Sequence, residues 1–213
     1  EVVNYTDPET GETVPGLEYE ADESWGPRME GQEYRPWYSW YHGDFDGDGQ
    51  DDYGETAQLN PRPDNIRTFY DTGIRISNSL SIGGGSENGT YRVSIEDLNQ
   101  QGVMPNSELD KTYLNFKGSL QHGDKFESQI SFNYVKTSGK GRPSQTYSPL
   151  QGNPTQMFNQ WFQRQLSMDE LQNYRLEDGT IATWNIIDPT AENLTPQYWD
   201  SPYFTTNANV PYD

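Results

Sequence analysis

Gly73-Ile74-Arg75-Ile76-Ser77-Asn78-Ser79-Leu80-Ser81-Ile82-Gly83-Gly84-Gly85-Ser86-Glu87-Asn88-Gly89-Thr90-Tyr91-Arg92-Val93-Ser94-Ile95-Glu96 is the stretch that decides the fold. Ile74, Ile76, Leu80 and Ile82 share one parity, and Arg75, Ser77, Ser79 and Ser81 share the other. Asn88-Gly89 is a hairpin signal, because Asn and Gly tolerate the positive φ that a tight turn between strands requires. Beyond it Tyr91, Val93 and Ile95 alternate with Arg92, Ser94 and Glu96. A period of two bounded by turn residues predicts a strand whose two faces meet different surroundings.

The pattern repeats downstream. Leu114, Phe116 and Leu120 alternate with Asn115, Lys117 and Ser119; Gly123-Asp124 turns the chain; Phe126, Ile130, Phe132 and Tyr134 then alternate with Glu127, Gln129, Ser131 and Asn133. Four such runs in sequence predict an antiparallel meander over residues 72–136. An edge of a soluble sandwich would account for it, with one face on a core and one in water. A transmembrane barrel would too, with apolar side chains outward and polar ones toward a wet lumen. The barrel fits better on two counts. The second face is polar almost throughout, and the connections alternate short, long, short at Glu87–Gly89, Gln100–Asp110 and His122–Lys125. Outer-membrane barrels show that asymmetry, with short turns on the periplasmic side and long loops outside.

Outward from the meander no period is sustained. Residues 1–71 are acidic and rich in aromatics, including Tyr5, Tyr19, Trp25, Tyr34, Trp37, Tyr38, Trp40 and Tyr41, and they read as a long ordered loop. Residues 137–213 read as loop with short helices. Met157, Phe158, Trp161, Phe162, Gln165 and Leu166 fall on one face of a helix opening at Pro154. Ser167-Met168-Asp169-Glu170 is a capping box for a second helix reaching about Tyr174. Asp178-Gly179 marks a small hairpin.

One constellation carries metal chemistry. Residues 44–55 match the twelve-position calcium loop, with acids at position 1 (Asp44), 3 (Asp46) and 5 (Asp48), and glycine at the sharp turn (Gly49). Gln50 would offer its backbone carbonyl, Asp52 a carboxylate at position 9, and Glu55 a bidentate carboxylate at position 12. Alternate residues of a curling loop point inward, and hard oxygen ligands suit Ca²⁺. Pro61 and Pro63 break any exit helix, so the expectation is an isolated structural calcium loop and not a sensor; the competing reading is a solvated acidic loop. Trp37, Tyr38, Trp40 and Tyr41 beside it could stack on sugar rings or pack the loop against a partner, and packing is the preferred reading. His42 and His122 have no base or nucleophile partner in the sequence, and no catalytic motif stands out, so an enzyme is not expected.

Composition narrows the classes further. The 213 residues carry 14 basic and 33 acidic side chains, a net charge of −19, and no Cys. That balance repels phosphate backbones and argues against nucleic acid as a partner, and the lack of Cys excludes thiolate metal sites and disulfide scaffolds. The first residues show no signal-peptide pattern. Leu, Ile, Val and Phe make up about 17% of the chain, inside the composition range of disorder, yet 15 Tyr and 6 Trp contradict disorder. A wall that turns its apolar face to lipid would resolve the conflict, needing no packed core of its own.

Glu23-Ser24-Trp25-Gly26-Pro27-Arg28-Met29-Glu30-Gly31-Gln32 resembles a stretch of the SusC/RagA-family TonB-dependent outer-membrane transporters. Asn60–Gly73, Ser79–Ser94, Gln101–Ser107 and Met157–Leu166 are similar, in order, to later segments of that family. The resemblance implies an all-β, mid-barrel fragment with two extracellular segments, lacking the plug and the TonB box. It implies import of oligosaccharides or peptides across the outer membrane of a Bacteroidota-type bacterium. The partners would be a SusD-like surface lipoprotein, the TonB complex through absent parts, and the lipid bilayer. The alternative from another class is a secreted calcium-dependent glycan-binding β-sandwich.

Overall fold

The computed structural model describes residues 1–142 and 153–208 and is mostly β, with every sheet antiparallel. In chain order the elements are β1 (Val2–Thr6), β2 (Thr13–Leu17), β3 (Gln32–Tyr34), a 3₁₀ turn (Trp37–Trp40), β4 (Ala57–Leu59), α1 (Asn65–Phe69), β5 (Ile74–Ser86), β6 (Gly89–Gln101), β7 (Glu108–His122), β8 (Phe126–Lys140), α2 (Pro154–Gln160), α3 (Met168–Gln172) and α4 (Pro202–Ala208). They fall into two compact units, one joining Glu1–Tyr70 to the C-terminal stretch and one built on Asp71–Arg142.

The first unit departs from the expectation of two separate loops without a core. The two flanks fold on each other. β1 pairs with β2 and β3 with β4, each strand three to five residues long. Such strands are too short to show a period in the sequence. Their stability comes from what they pack on: Tyr19, Phe45, Phe69, Met157, Phe162, Leu171 and Trp184 are almost wholly buried. Contacts between the flanks are direct. Ser24 Oγ donates to the Phe162 carbonyl at 3.1 Å, and Asn185 Nδ2 to the Tyr19 carbonyl at 2.7 Å. The predicted helices form but are brief. α2 is capped by Asn153, whose side chain accepts from the Thr155 N–H, and it ends at Gln160, so Phe162 and Leu166 reach the core from irregular backbone. α3 begins after Ser167 as the capping box predicts; Ser167 makes no side-chain cap, while Glu170 receives the Ser167 N–H. The Asp178-Gly179 turn forms, with Gly179 at φ +90° between the bridged Arg175 and Ile181.

The second unit is the predicted meander, in the order β5-β6-β7-β8. Its strands run 13 to 15 residues, longer than the runs in the sequence. The middle connection therefore shortens to residues 102–107, and the expected contrast between short and long turns is smaller than the sequence suggested.

Register places the apolar side chains in rows across all four strands. Leu80, Ile95, Leu114 and Tyr134 make one row; Ile82, Val93, Phe116 and Phe132 the next; Gly84, Tyr91, Gly118 and Ile130 the third. The two glycines of this row make room for rings: a Cβ on Gly84 would meet Tyr91 at 2.8 Å, and one on Gly118 would meet Phe116 at 3.2 Å. On this same face the belt ends abruptly at Asn78, Asp97, Thr112 and Lys136. The opposite face carries Arg92, Ser94, Asn115, Lys117, Ser131 and Asn133. The belt is uncovered: Leu80, Ile82, Ile130 and Phe132 each expose more than half of their surface.

Candidate functional site

The acidic loop is shaped by its own backbone bonds. Asp44 accepts from the Gly47 N–H at 2.6 Å and the Gly49 N–H at 2.9 Å, Asp46 from the Asp48 N–H, and Asp48 from the Gln50 N–H. Gly47 and Gly49 sit at φ +84° and +87°, where a side chain would be strained. Asp52 is the buried member, accepting from the Phe45 N–H at 2.7 Å, and its own N–H closes the loop onto the Gly43 carbonyl at 2.9 Å.

The loop has a pedestal. Phe45, inside the calcium-loop pattern, is buried against Trp37, Tyr38 and Tyr41 at ring separations of 5.3 to 6.1 Å. Asn173, just past α3, donates to the Phe45 carbonyl at 2.9 Å. Trp37, Tyr38, Trp40 and Tyr41 are all buried and present no ring face to a sugar or partner; the first two and Tyr41 hold the loop, while Trp40 packs on Tyr5, Tyr19 and Arg35.

One carboxylate oxygen from each of Asp44, Asp46, Asp48 and Asp52 lies within 4.8 Å of the others. Ca²⁺–oxygen distances of about 2.3–2.6 Å place ligands on opposite sides of one ion roughly 4.6–5.2 Å apart, so these four fit one coordination shell. The Gln50 side chain turns to Asp48 at 2.8 Å, leaving only its backbone carbonyl as a ligand. Glu55 stands outside the tight group but within its field. Burial and then the charges of Asp52, Asp46 and Asp48 push its carboxyl up. Burial and then Asp46 and Asp44 do the same to Asp52. A divalent cation would relieve that repulsion.

Several structural residues gave no sequence signal. Arg35 is fully buried, ion-paired with Asp7, bonded to the Ser39 carbonyl, and held between the rings of Trp40 (3.8 Å) and Tyr53 (4.6 Å). His42 bridges Asp51 at 2.7 Å and Glu9 at 3.0 Å while stacked on Tyr53; its bonds to Asp51 and then Glu9 raise its pKa. It is a clasp between the β1–β2 turn and the acidic loop. The chain matches no protein-family model and no curated protein.

Proposed function

We propose that this chain is a stretch of outer-membrane barrel wall with an extracellular domain, from a TonB-dependent transporter of the SusC/RagA kind. It serves the import of oligosaccharides or peptides together with a SusD-like lipoprotein, and its acidic loop holds a structural Ca²⁺ through Asp44, Asp46, Asp48, Asp52, the Gln50 carbonyl and Glu55. The uncovered apolar belt on one face of a long meander carries the reading.

The belt has the dimensions of a lipid-facing band. From Phe126 to Tyr134 the strand climbs about 26 Å at ~3.3 Å per residue. A tilt of 35–45° reduces that to an upright height of about 20 Å, against ~25 Å for outer-membrane barrels. A water-soluble sheet would leave the same rows exposed at a cost of roughly 25 cal/mol per Å² of apolar surface. The outer edges of β5 and β8 have no strand paired to them among the described residues. In lipid each unsatisfied backbone group is expensive, so the wall continues on both sides. The glycan-binding sandwich loses support, since the belt is uncovered and the aromatic cluster is buried.

None of these 213 residues is a cysteine, so a cysteine introduced among them can be read against the unaltered parent transporter. In cells carrying the whole transporter, Asp178→Cys should react with a membrane-impermeant maleimide, and Asn88→Cys should react only after the outer membrane is permeabilised. Labelling of both in intact cells, or recovery of the protein without detergent, overturns the reading.

A further inference from the structure

Trp25 is 91% exposed, while Trp37, Trp40, Trp184 and Trp199 in the same unit are at most 4% exposed. It stands over a cleft whose apolar walls include Leu17, Met29 and Leu59. Leaving an indole in water forfeits the burial that aromatic side chains otherwise provide, and an exposed Trp beside a cleft has the composition of an interface hot spot. The surroundings also have a sign. The segment Glu18–Glu30 carries five acids and one base; Glu1, Glu18 and Glu23 line the cleft, against Arg164 as its one basic side chain.

We propose that Trp25 and this cleft are a docking site for a partner polypeptide that presents a Lys or Arg next to an aliphatic side chain. The aliphatic side chain enters the cleft. The cation lies over the indole face, where the ring quadrupole attracts it, and faces Glu18 and Glu23. Electrostatic complementarity selects this occupant: an acidic or neutral segment would meet the same apolar walls without the charge match, and acidic ones would be repelled. The site belongs wholly to the first unit and does not depend on the barrel reading.

The test uses fluorescein-labelled, amidated peptides of sequence Lys-Leu-Arg-Leu-Lys, Gln-Leu-Gln-Leu-Gln and Glu-Leu-Asp-Leu-Glu, with binding to the full chain followed by anisotropy. The basic peptide should bind at least tenfold more tightly than the neutral one, and the acidic one should not bind. Trp25→Ala should weaken binding at least tenfold, Trp25→Phe should restore most of it, and Glu23→Gln should weaken it several-fold with a shallower salt dependence. Trp25 should also become protected from acrylamide quenching as the basic peptide is added. Equal binding of basic and neutral peptides overturns the proposal, as does undiminished binding to Trp25→Ala, which would reflect general attraction to a chain of net charge −19. Concentration-dependent dimerisation lost in Trp25→Ala would place a second copy in the cleft and overturn it equally.

Discussion

Asp7 and Asp200 are both buried carboxylates, and their surroundings push them in opposite directions. For Asp7 burial works against the charge, but the Thr10 N–H, Arg35 and the Glu9 N–H outweigh it and lower the carboxyl from 3.8 to about 2. For Asp200 burial acts alone and raises it from 3.8 to about 6. A lowered pKa supplies stability above the unfolded value that is lost as pH falls from about 4 toward 2. A raised one supplies stability below about 4 that is lost as pH climbs to 6. Asp200→Asn should therefore stabilise the first unit at pH 8, by roughly 1–3 kcal/mol, and change little at pH 4. Asp7→Asn should destabilise it by about 2–4 kcal/mol at pH 7, since it strands buried Arg35, and by less at pH 2. Thermal melts at these four pH values decide both; destabilisation by Asp200→Asn at pH 8 would refute the burial argument. Neither residue was legible in the sequence. The partners of Asp7 lie up to 46 positions away, whereas Asp44, Asp46, Asp48 and Asp52 could be read because their chemistry is local and their spacing fixed.

Elements became legible in proportion to their length. β5 to β8 each repeat the two-residue period often enough to be unmistakable, while β1 to β4 have too few residues to repeat anything and exist because a core receives them. The same register supplies a test of the meander's two faces. Phe132 lies in the apolar belt and Ser131, its neighbour, points to the polar side. With the belt in lipid, Phe132→Asp places a charge in the hydrocarbon and should destabilise the wall measurably, by somewhat less than the ~2–4 kcal/mol that Lys or Arg costs at the midplane. Ser131→Asp should cost little. Folding yield in detergent micelles or lipid vesicles, read by resistance to proteolysis, separates them. Equal tolerance of both substitutions would mean that neither face meets lipid.

At the scale of the whole molecule, charge is the organising quantity, and it is unevenly spread. The first 70 residues hold 17 of the 33 acids and only 4 of the 14 bases. Composition made that visible; the union of this segment with the C-terminal one was hidden, because contacts such as Ser24 with Phe162 leave no pattern in either stretch. The acidic loop touches both halves of that union, resting on Phe45 and tied to Asn173. Cation binding there should therefore stabilise the first unit as a whole. Extracellular calcium modules bind at about 10⁻⁴–10⁻³ M. With a Kd of about 0.5 mM, 5 mM Ca²⁺ would add roughly 1.4 kcal/mol. The melting temperature should rise by a few degrees with Ca²⁺ and fall back with a chelator. Mg²⁺ at the same concentration should do much less, because it demands tighter octahedral geometry and dehydrates reluctantly. Asp46→Asn should abolish most of the calcium response, and Glu55→Gln should weaken it, while both variants, relieved of a repelling charge, should melt no lower than the parent without calcium. Identical responses to Ca²⁺ and Mg²⁺, unchanged in Asp46→Asn, would reduce the loop to a patch of screened surface charge.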